Sequence, residues 1–366
     1  MNIQKIKIML SAAIVFLLMT ACDNAPIEFD DFGKTACYFP YQTPARTIIL
    51  GKYDEGFNDN DNLRQFEIGV VMSGVYKNNE DRKVFFELDT ALMTTISNVK
   101  YMPITHYNIV TTSPVIIPKG DTKGKILVQL TDAFFNDPKT VSSFFILGTA
   151  PICNYAIPLR ITKVEGLDSI LIGKTTLRSK VGKDSIGVRV KAADWAIVPQ
   201  DYTLFAVKYI NKYHGNYLRR GVDSVFSTSL NKFIGNTVYR NLYVEKSEVV
   251  KVSTVDLTTA SLPGTIRRYQ NSDAGTLFLK LSLSADSCTI FKQSTPPVTY
   301  TLLGTGKVKF KENGDKWGGK ARDVIYLDYA YTDPIAANNE KHRVKDTIVI
   351  RDRGVGFELF IPTLKP

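Results

Sequence analysis

Ser113-Pro114-Val115-Ile116-Ile117-Pro118-Lys119-Gly120-Asp121-Thr122-Lys123-Gly124-Lys125-Ile126-Leu127-Val128-Gln129-Leu130 places two β-branched runs on either side of a Lys-Gly-Asp turn. Alternation of period two sends successive side chains to opposite faces, as a strand with one buried face requires, and the short turn predicts a hairpin. The same texture continues outward through residues 47–50, 66–70 and 83–88 on one side, and 144–147 and 155–161 on the other. About seven short strands at this spacing predict an Ig-like β-sandwich over residues 35–165.

Beyond a mixed, polar connector at 166–199, strand signals resume at 203–210, 237–244, 249–254, 276–283, 299–310, 323–331, 346–350 and 356–361. Consecutive strands joined by short turns form a meander, and closing it into a barrel removes the exposed edges. The fold class is therefore all-β: an N-terminal sandwich, then a C-terminal antiparallel meander β-barrel over residues 200–366. Gly215-Asn216-Tyr217 in an early barrel strand gives a calycin-like cue.

Composition agrees and excludes other classes. The chain has 366 residues, 44% hydrophobic and 22% charged, which is globular rather than disordered or fibrous. Lys and Arg outnumber Asp and Glu, 46 to 36, but they are spread singly among acids, which describes a solvated basic surface and no nucleic-acid partner. With 3 His and 4 Cys there is little material for a metal or thiol centre, and no cofactor is expected.

Residues 1–21 carry Lys5 and Lys7, an apolar stretch from 8 to 18, and Met19-Thr20-Ala21 before Cys22. A basic start, a short apolar middle and small residues before the cut describe a secretory signal peptide. Cys22 after Ala21 resembles the bacterial lipobox, in which the thiol is acylated and becomes the new N-terminus. The acidic stretch that follows, Asp23 to Asp31 within a tether at 22–34, resembles the surface-export signal of Bacteroidetes lipoproteins. The expectation is an outer-membrane protein held by its lipid anchor and facing the cell exterior. Cys37, Cys153 and Cys288 remain, an odd number set among apolar neighbours, and read as buried free thiols.

Several stretches together resemble a group of Bacteroidetes surface lipoproteins. They are Cys37-Tyr38-Phe39-Pro40-Tyr41, Gln129-Leu130-Thr131-Asp132-Ala133-Phe134-Phe135, Val207-Lys208-Tyr209-Ile210-Asn211-Lys212-Tyr213-His214-Gly215 and Trp317-Gly318-Gly319-Lys320-Ala321-Arg322-Asp323. The N-terminal domain of this group resembles the one preceding family 18 endo-β-N-acetylglucosaminidases. The resemblance implies a non-enzymatic, accessory role in capturing a glycan or oligosaccharide beside an outer-membrane glycan importer complex. A structural or adhesion lipoprotein is the alternative, and a glycoside hydrolase a third reading. The family 18 pattern of alternating acids ending in Glu is absent around Asp323 and Asp328.

Sugar recognition needs flat aromatic faces against pyranose C–H groups, and planar polar groups for the hydroxyls. Two segments supply these: Tyr213, His214, Tyr217, Arg219 and Arg220, and then Asp315, Lys316, Trp317, Lys320 and Arg322. Trp317 stands in a polar turn beside two glycines and is the expected anchor. The opposing reading makes the tyrosines core and Trp317 a barrel plug. Trp195, in the connector, reads as an inter-domain contact. The oxygen-rich run Asp54 to Asn62 resembles a calcium loop only loosely, having neither the turn glycine nor the closing Glu, and reads as an Asx-rich turn. Asp-Ser-apolar triplets make Ser169 and Ser185 candidates for O-glycosylation.

Overall fold

The computed structural model describes residues 31–141, 153–176, 187–269, 274–290, 300–333, 336 and 339–365. The leader, Cys22, most of the acidic tether and Ser185 lie outside these residues, as do residues 144–147. Within them the protein is all-β and has two parts.

The first part is a sandwich. One sheet orders Ser169–Ile170, Ala36–Tyr38, Gln65–Ser73, Lys123–Leu130 and Tyr107–Ile109. The other orders Glu358–Leu359, Pro44–Ile49, Tyr202–Ile210, Tyr155–Glu165, Arg82–Leu88 and Val115–Ile117. Phe66, Ile68, Val70, Ile126, Val128, Ile157, Leu159, Val207 and Tyr209 fill the space between them.

Three expectations are corrected here. Val115–Ile117 and Lys123–Leu130 do not pair as a hairpin: the first joins Arg82–Leu88 and the second joins Gln65–Ser73, in opposite sheets. Alternation identifies each buried face but not whether a turn folds within a sheet or across the core. Here the chain crosses, and Gly124 marks the close approach, since a Cβ there would lie 3.2 Å from side-chain atoms of Val115 and Ile117.

The second correction concerns Tyr202–Ile210, expected to open the barrel. It is a central strand of the sandwich, parallel to Pro44–Ile49 and antiparallel to Tyr155–Glu165. Its near-continuous apolar run has a physical cause, because both faces are covered. Val207 and Tyr209 face the inter-sheet core, while Tyr202, Leu204 and Ala206 join Leu92, Met93, Ile96 and Phe360 in a second cluster.

Third, the C-terminal residues leave the barrel. Glu358–Leu359 pairs with Pro44–Ile49, and Leu364 bridges to Ile96. The barrel is therefore an insertion between two elements of the sandwich. The connector is partly ordered by local pairing: Lys174–Thr175 pairs with Trp195–Ile197, and the Trp195 indole donates to the carbonyl of Val188 at 2.9 Å. Trp195 packs on Gly187 within the connector.

The second part is a ten-stranded sheet. Lys232–Tyr239 and Thr301–Leu302 hang from it. The other eight close on themselves in the order Gly215–Ser227, Glu248–Thr254, Thr259–Arg267, Ala274–Ser282, Ser287–Ile290, Gly306–Trp317, Lys320–Asp333 and Glu340–Asp352, the last pairing with the first. At this strand number side chains fill the interior. One half of it is apolar, with Tyr217, Leu262, Leu279, Ile325 and Ile348. The other half is polar: His342 sits between Asp223 (2.8 Å) and Glu340 (3.2 Å), with Tyr331 stacked 4.6 Å from its ring.

The parts are joined at Arg353. Its guanidinium donates to the carbonyls of Leu50, Asn211 and Lys212 at 2.7, 2.8 and 2.6 Å, tying a sandwich strand end to the linker. Asn211 continues the joint, donating through its side chain to the carbonyls of Asp256 and Thr259.

Candidate functional site

Gly318 and Gly319, with φ of +59° and +74°, form the two-residue turn between the barrel strands Gly306–Trp317 and Lys320–Asp333, and Trp317 pairs across it with Lys320. Two positive-φ residues give a turn whose twist matches the strands, which is why glycines stand there. Between Lys311 and Asp315 the register shifts, a bulge that bends the hairpin. Its tip is anchored on the outer wall of the barrel. Asp315 forms an ion pair with Arg220, and the Trp317 indole donates to the carbonyl of Ile350 at 2.9 Å. The guanidinium of Arg322 stacks on the Trp317 ring, 4.4 Å from its centre.

Beside this stack lies a narrow polar cleft between the two parts. Lys52, Asp54 and Glu55 come from the sandwich, and Arg322, Asp323, Ile350, Arg351, Asp352 and Arg353 from the barrel. Lys52 reaches across to Asn313 and to the carbonyl of Ala321, both at 3.2 Å. Asp54 completes the link through Arg322 at 3.4 Å. Ile350 is the one apolar residue in the wall, and the aliphatic stems of the long charged side chains line much of the rest.

The expected site residues divide sharply. Asp315, Lys316, Trp317, Lys320 and Arg322 are together on the hairpin, with Arg220 brought to it by its ion pair. Tyr213, His214, Tyr217 and Arg219 are only 8, 5, 0 and 3% exposed, so the expectation that they meet a ligand is corrected. Tyr213 packs edge-on against Phe310 at 4.9 Å, and the Tyr217 hydroxyl donates to the carbonyl of Tyr213. Arg219 is spent inside the barrel, on Asp346 at 2.9 Å and on the face of Tyr239 at 3.9 Å. Burial raises the pKa of Asp346, against the pull of Arg219.

His214 accepts the backbone N–H of Thr254 through Nδ1 at 3.1 Å. Burial, with the cations Arg353, Lys251 and Lys208 adding to it, holds its pKa down at about 3, so it is a neutral acceptor at the joint.

The run from Asp54 to Asn62 behaves as an Asx-rich turn. Asn58 donates to the carbonyls of Ile49 and Gly51, Asn62 accepts from the N–H of Gly51, and buried Asp61 takes the N–H of Ile49 and the guanidinium of Arg46. Cys37 and Cys153 are buried free thiols, each pushed up to about 12 by burial. Ser169 is exposed, on a short edge strand.

Lys52, Arg351, Asp352 and Arg353 were not legible as site residues, since they come from stretches about three hundred positions apart, and Asp54 was read only as part of an Asx-rich turn. The one signal was the dense charge of Arg351-Asp352-Arg353 where a strand ends. No group of three metal-ligating side chains is assembled among the described residues.

This architecture, an N-terminal sandwich carrying an inserted barrel, is matched by two family models. Residues 32–168 match a model described as an N-terminal domain, and residues 212–354 match a domain of unknown function, DUF5627. A crystal structure from Bacteroides ovatus, titled as a structural-genomics target of unknown function, is 32% identical over 92% of this chain and 100% of its own, with a TM-score of 0.74. The chain belongs to the family of that Bacteroides protein, the sandwich domain followed by DUF5627. A Bacteroides ovatus multidomain protein including DUF1735 is 13% identical, over 88% of this chain and 96% of its own, at a TM-score of 0.38. Among curated proteins no match is found. No helix among the described residues is long and apolar enough to cross a membrane.

Proposed function

We propose that this protein is a glycan-binding lipoprotein of the cell surface, anchored in the outer membrane through Cys22 and serving an importer of oligosaccharides without hydrolysing them. The observation that carries the reading is the Trp317–Arg322 stack beside a cleft lined by arginines and carboxylates. It joins the aromatic surface that a pyranose needs to the planar polar groups that its hydroxyls need. The tip is pre-organised by the double-glycine turn and two anchors, which lowers the entropy cost of binding. The resemblance of the N-terminal domain to the one preceding family 18 endo-β-N-acetylglucosaminidases supports an address beside glycan-processing proteins. A glycan array probed with protein lacking residues 1–22 tests the reading: it predicts a defined set of bound glycans, and an empty array of surface and host polysaccharides would sink it.

A second reading, an adhesion or interaction subunit, is favoured by a different observation. Val222 and its cross-strand partner Val238 are exposed on the outer wall, as are Phe233 and Val249 on the two strands that flank Gly215–Ser227. Exposed apolar side chains gathered on one wall suit contact with another protein. Crosslinking on intact cells separates the two readings, through capture at Val238 rather than near Trp317.

A further inference from the structure

The hydrogen-bonding capacity left in the cleft is unequal. Its inner carboxylates are already engaged: Asp54 by Lys52 and Arg322, Asp323 by the N–H of Asn313 at 2.9 Å, and Asp352 by Asn216 and Arg351, both at 2.6 Å. Glu55, exposed on the sandwich loop, is free to reach solvent, while Asp54 and Asp352, 26% and 23% exposed, are held in ion pairs. By contrast, the Nε–H groups of Arg322 and Arg353 are buried and have no acceptor. Arg353 is 3% exposed, and its other nitrogens are fixed on three carbonyls, so this donor cannot turn away to solvent. A buried donor without an acceptor is costly, and a ligand oxygen placed there removes that cost.

We infer that the cleft takes an oxyanion, and that the glycan is therefore an acidic one whose carboxylate or sulfate sits between Arg322 and Arg353. This rests on the glycan-binding reading and narrows it. The cleft is too narrow for a whole pyranose but suits the head of a carboxylate. The ring itself would lie outside, along Trp317. Guanidinium groups suit the task, because their N–H donors are always charged and form charge-assisted bonds to oxyanions.

The test uses arginine side-chain ¹⁵N–¹H spectra of the full mature chain, with the Arg322 signal assigned by its loss in Arg322→Gln and the Arg353 signal by its loss in Arg353→Lys. Probes are tri-galacturonate, its fully methyl-esterified form and sodium sulfate. Tri-galacturonate is expected to shift both Nε–H signals and to bind at least about tenfold tighter than the ester, a preference that Arg322→Gln abolishes. Sulfate shifting the same two signals supports the oxyanion site and marks it as indifferent to the anion's source. Equal binding of acid and ester overturns the inference, as does an absence of any shift with both anions. If neutral glycans bind through Trp317 in either of those cases, the glycan-binding reading stands and only its acidic specificity falls.

Discussion

Replacing Arg219 with Met should unfold the barrel rather than blunt a binding site. Arg219 and Asp346 have side chains only 3% and 2% exposed, and they meet at 2.9 and 3.0 Å through two nitrogens. Methionine fills similar volume but leaves Asp346 buried without its cation. Removing one partner of a buried pair costs about 3–5 kcal/mol, most of it the stranded charge. The lost stack on Tyr239 adds roughly 0.5–1 kcal/mol. Urea unfolding followed by intrinsic fluorescence measures the loss. The pH dependence identifies its origin. Burial already raises the pKa of Asp346, and without Arg219 it rises further. A carboxyl whose folded pKa exceeds its unfolded value carries no penalty when protonated in both states, and a growing one as pH rises between the two values. The deficit of Arg219→Met should therefore shrink between pH 7 and pH 4. The double variant Arg219→Met, Asp346→Leu should recover most of the loss, since a buried pair often contributes little net stability over apolar replacements. A single variant within about 0.5 kcal/mol of the parent at neutral pH would refute the reasoning.

His214 should make the joint acid-sensitive: with its folded pKa depressed to about 3, its contribution is present above pH 6.5 and lost as pH falls, by up to about 1.4 kcal/mol per unit. His214→Asn should flatten that part of the stability–pH curve, measured by calorimetric melting between pH 7 and 4.5. Cys22→Ala should leave the protein without acyl chains and release it from the membrane fraction; a variant that still carries lipid by mass spectrometry would contradict the anchor. Gly221→Ala should destabilise the barrel severely, because its Cβ would lie 2.0 Å from a carboxylate oxygen of Asp346 and 2.6 Å from the Lys345 carbonyl; a melting point close to that of the parent protein would count against the packed interior.

The all-β character and the division into sandwich and barrel were legible because period-two patterning and turn chemistry are local properties. Pairing partners were not. Residues 115–130 carry an unambiguous strand–turn–strand pattern, yet their strands lie in different sheets, a choice made by the core they jointly fill. Tyr202–Ile210 carried its own clue, an apolar run on both faces, which a barrel strand with a solvent side would not show. At the site, the double glycine marked the Trp317 turn correctly. The aromatic–basic cluster at 213–219 misled, because alternation groups residues by face without saying which face is inside. The cleft was invisible because Lys52 and Arg353 meet only after the chain closes back on itself.

The central claim is that Trp317 forms a binding surface, and affinity and stability measured side by side on Trp317→Ala test it most directly. The indole N–H bond to Ile350 and the Arg322 stack imply a modest stability loss of about 1–2 kcal/mol, seen as a melting point lower by several degrees. Loss of a buried aromatic anchor from a sugar complex is worth on the order of 2 kcal/mol, so calorimetric titration with the strongest array ligand should show affinity down about thirtyfold in protein that remains folded. Undiminished affinity in the folded variant would contradict the account and make the hairpin tip a structural clasp.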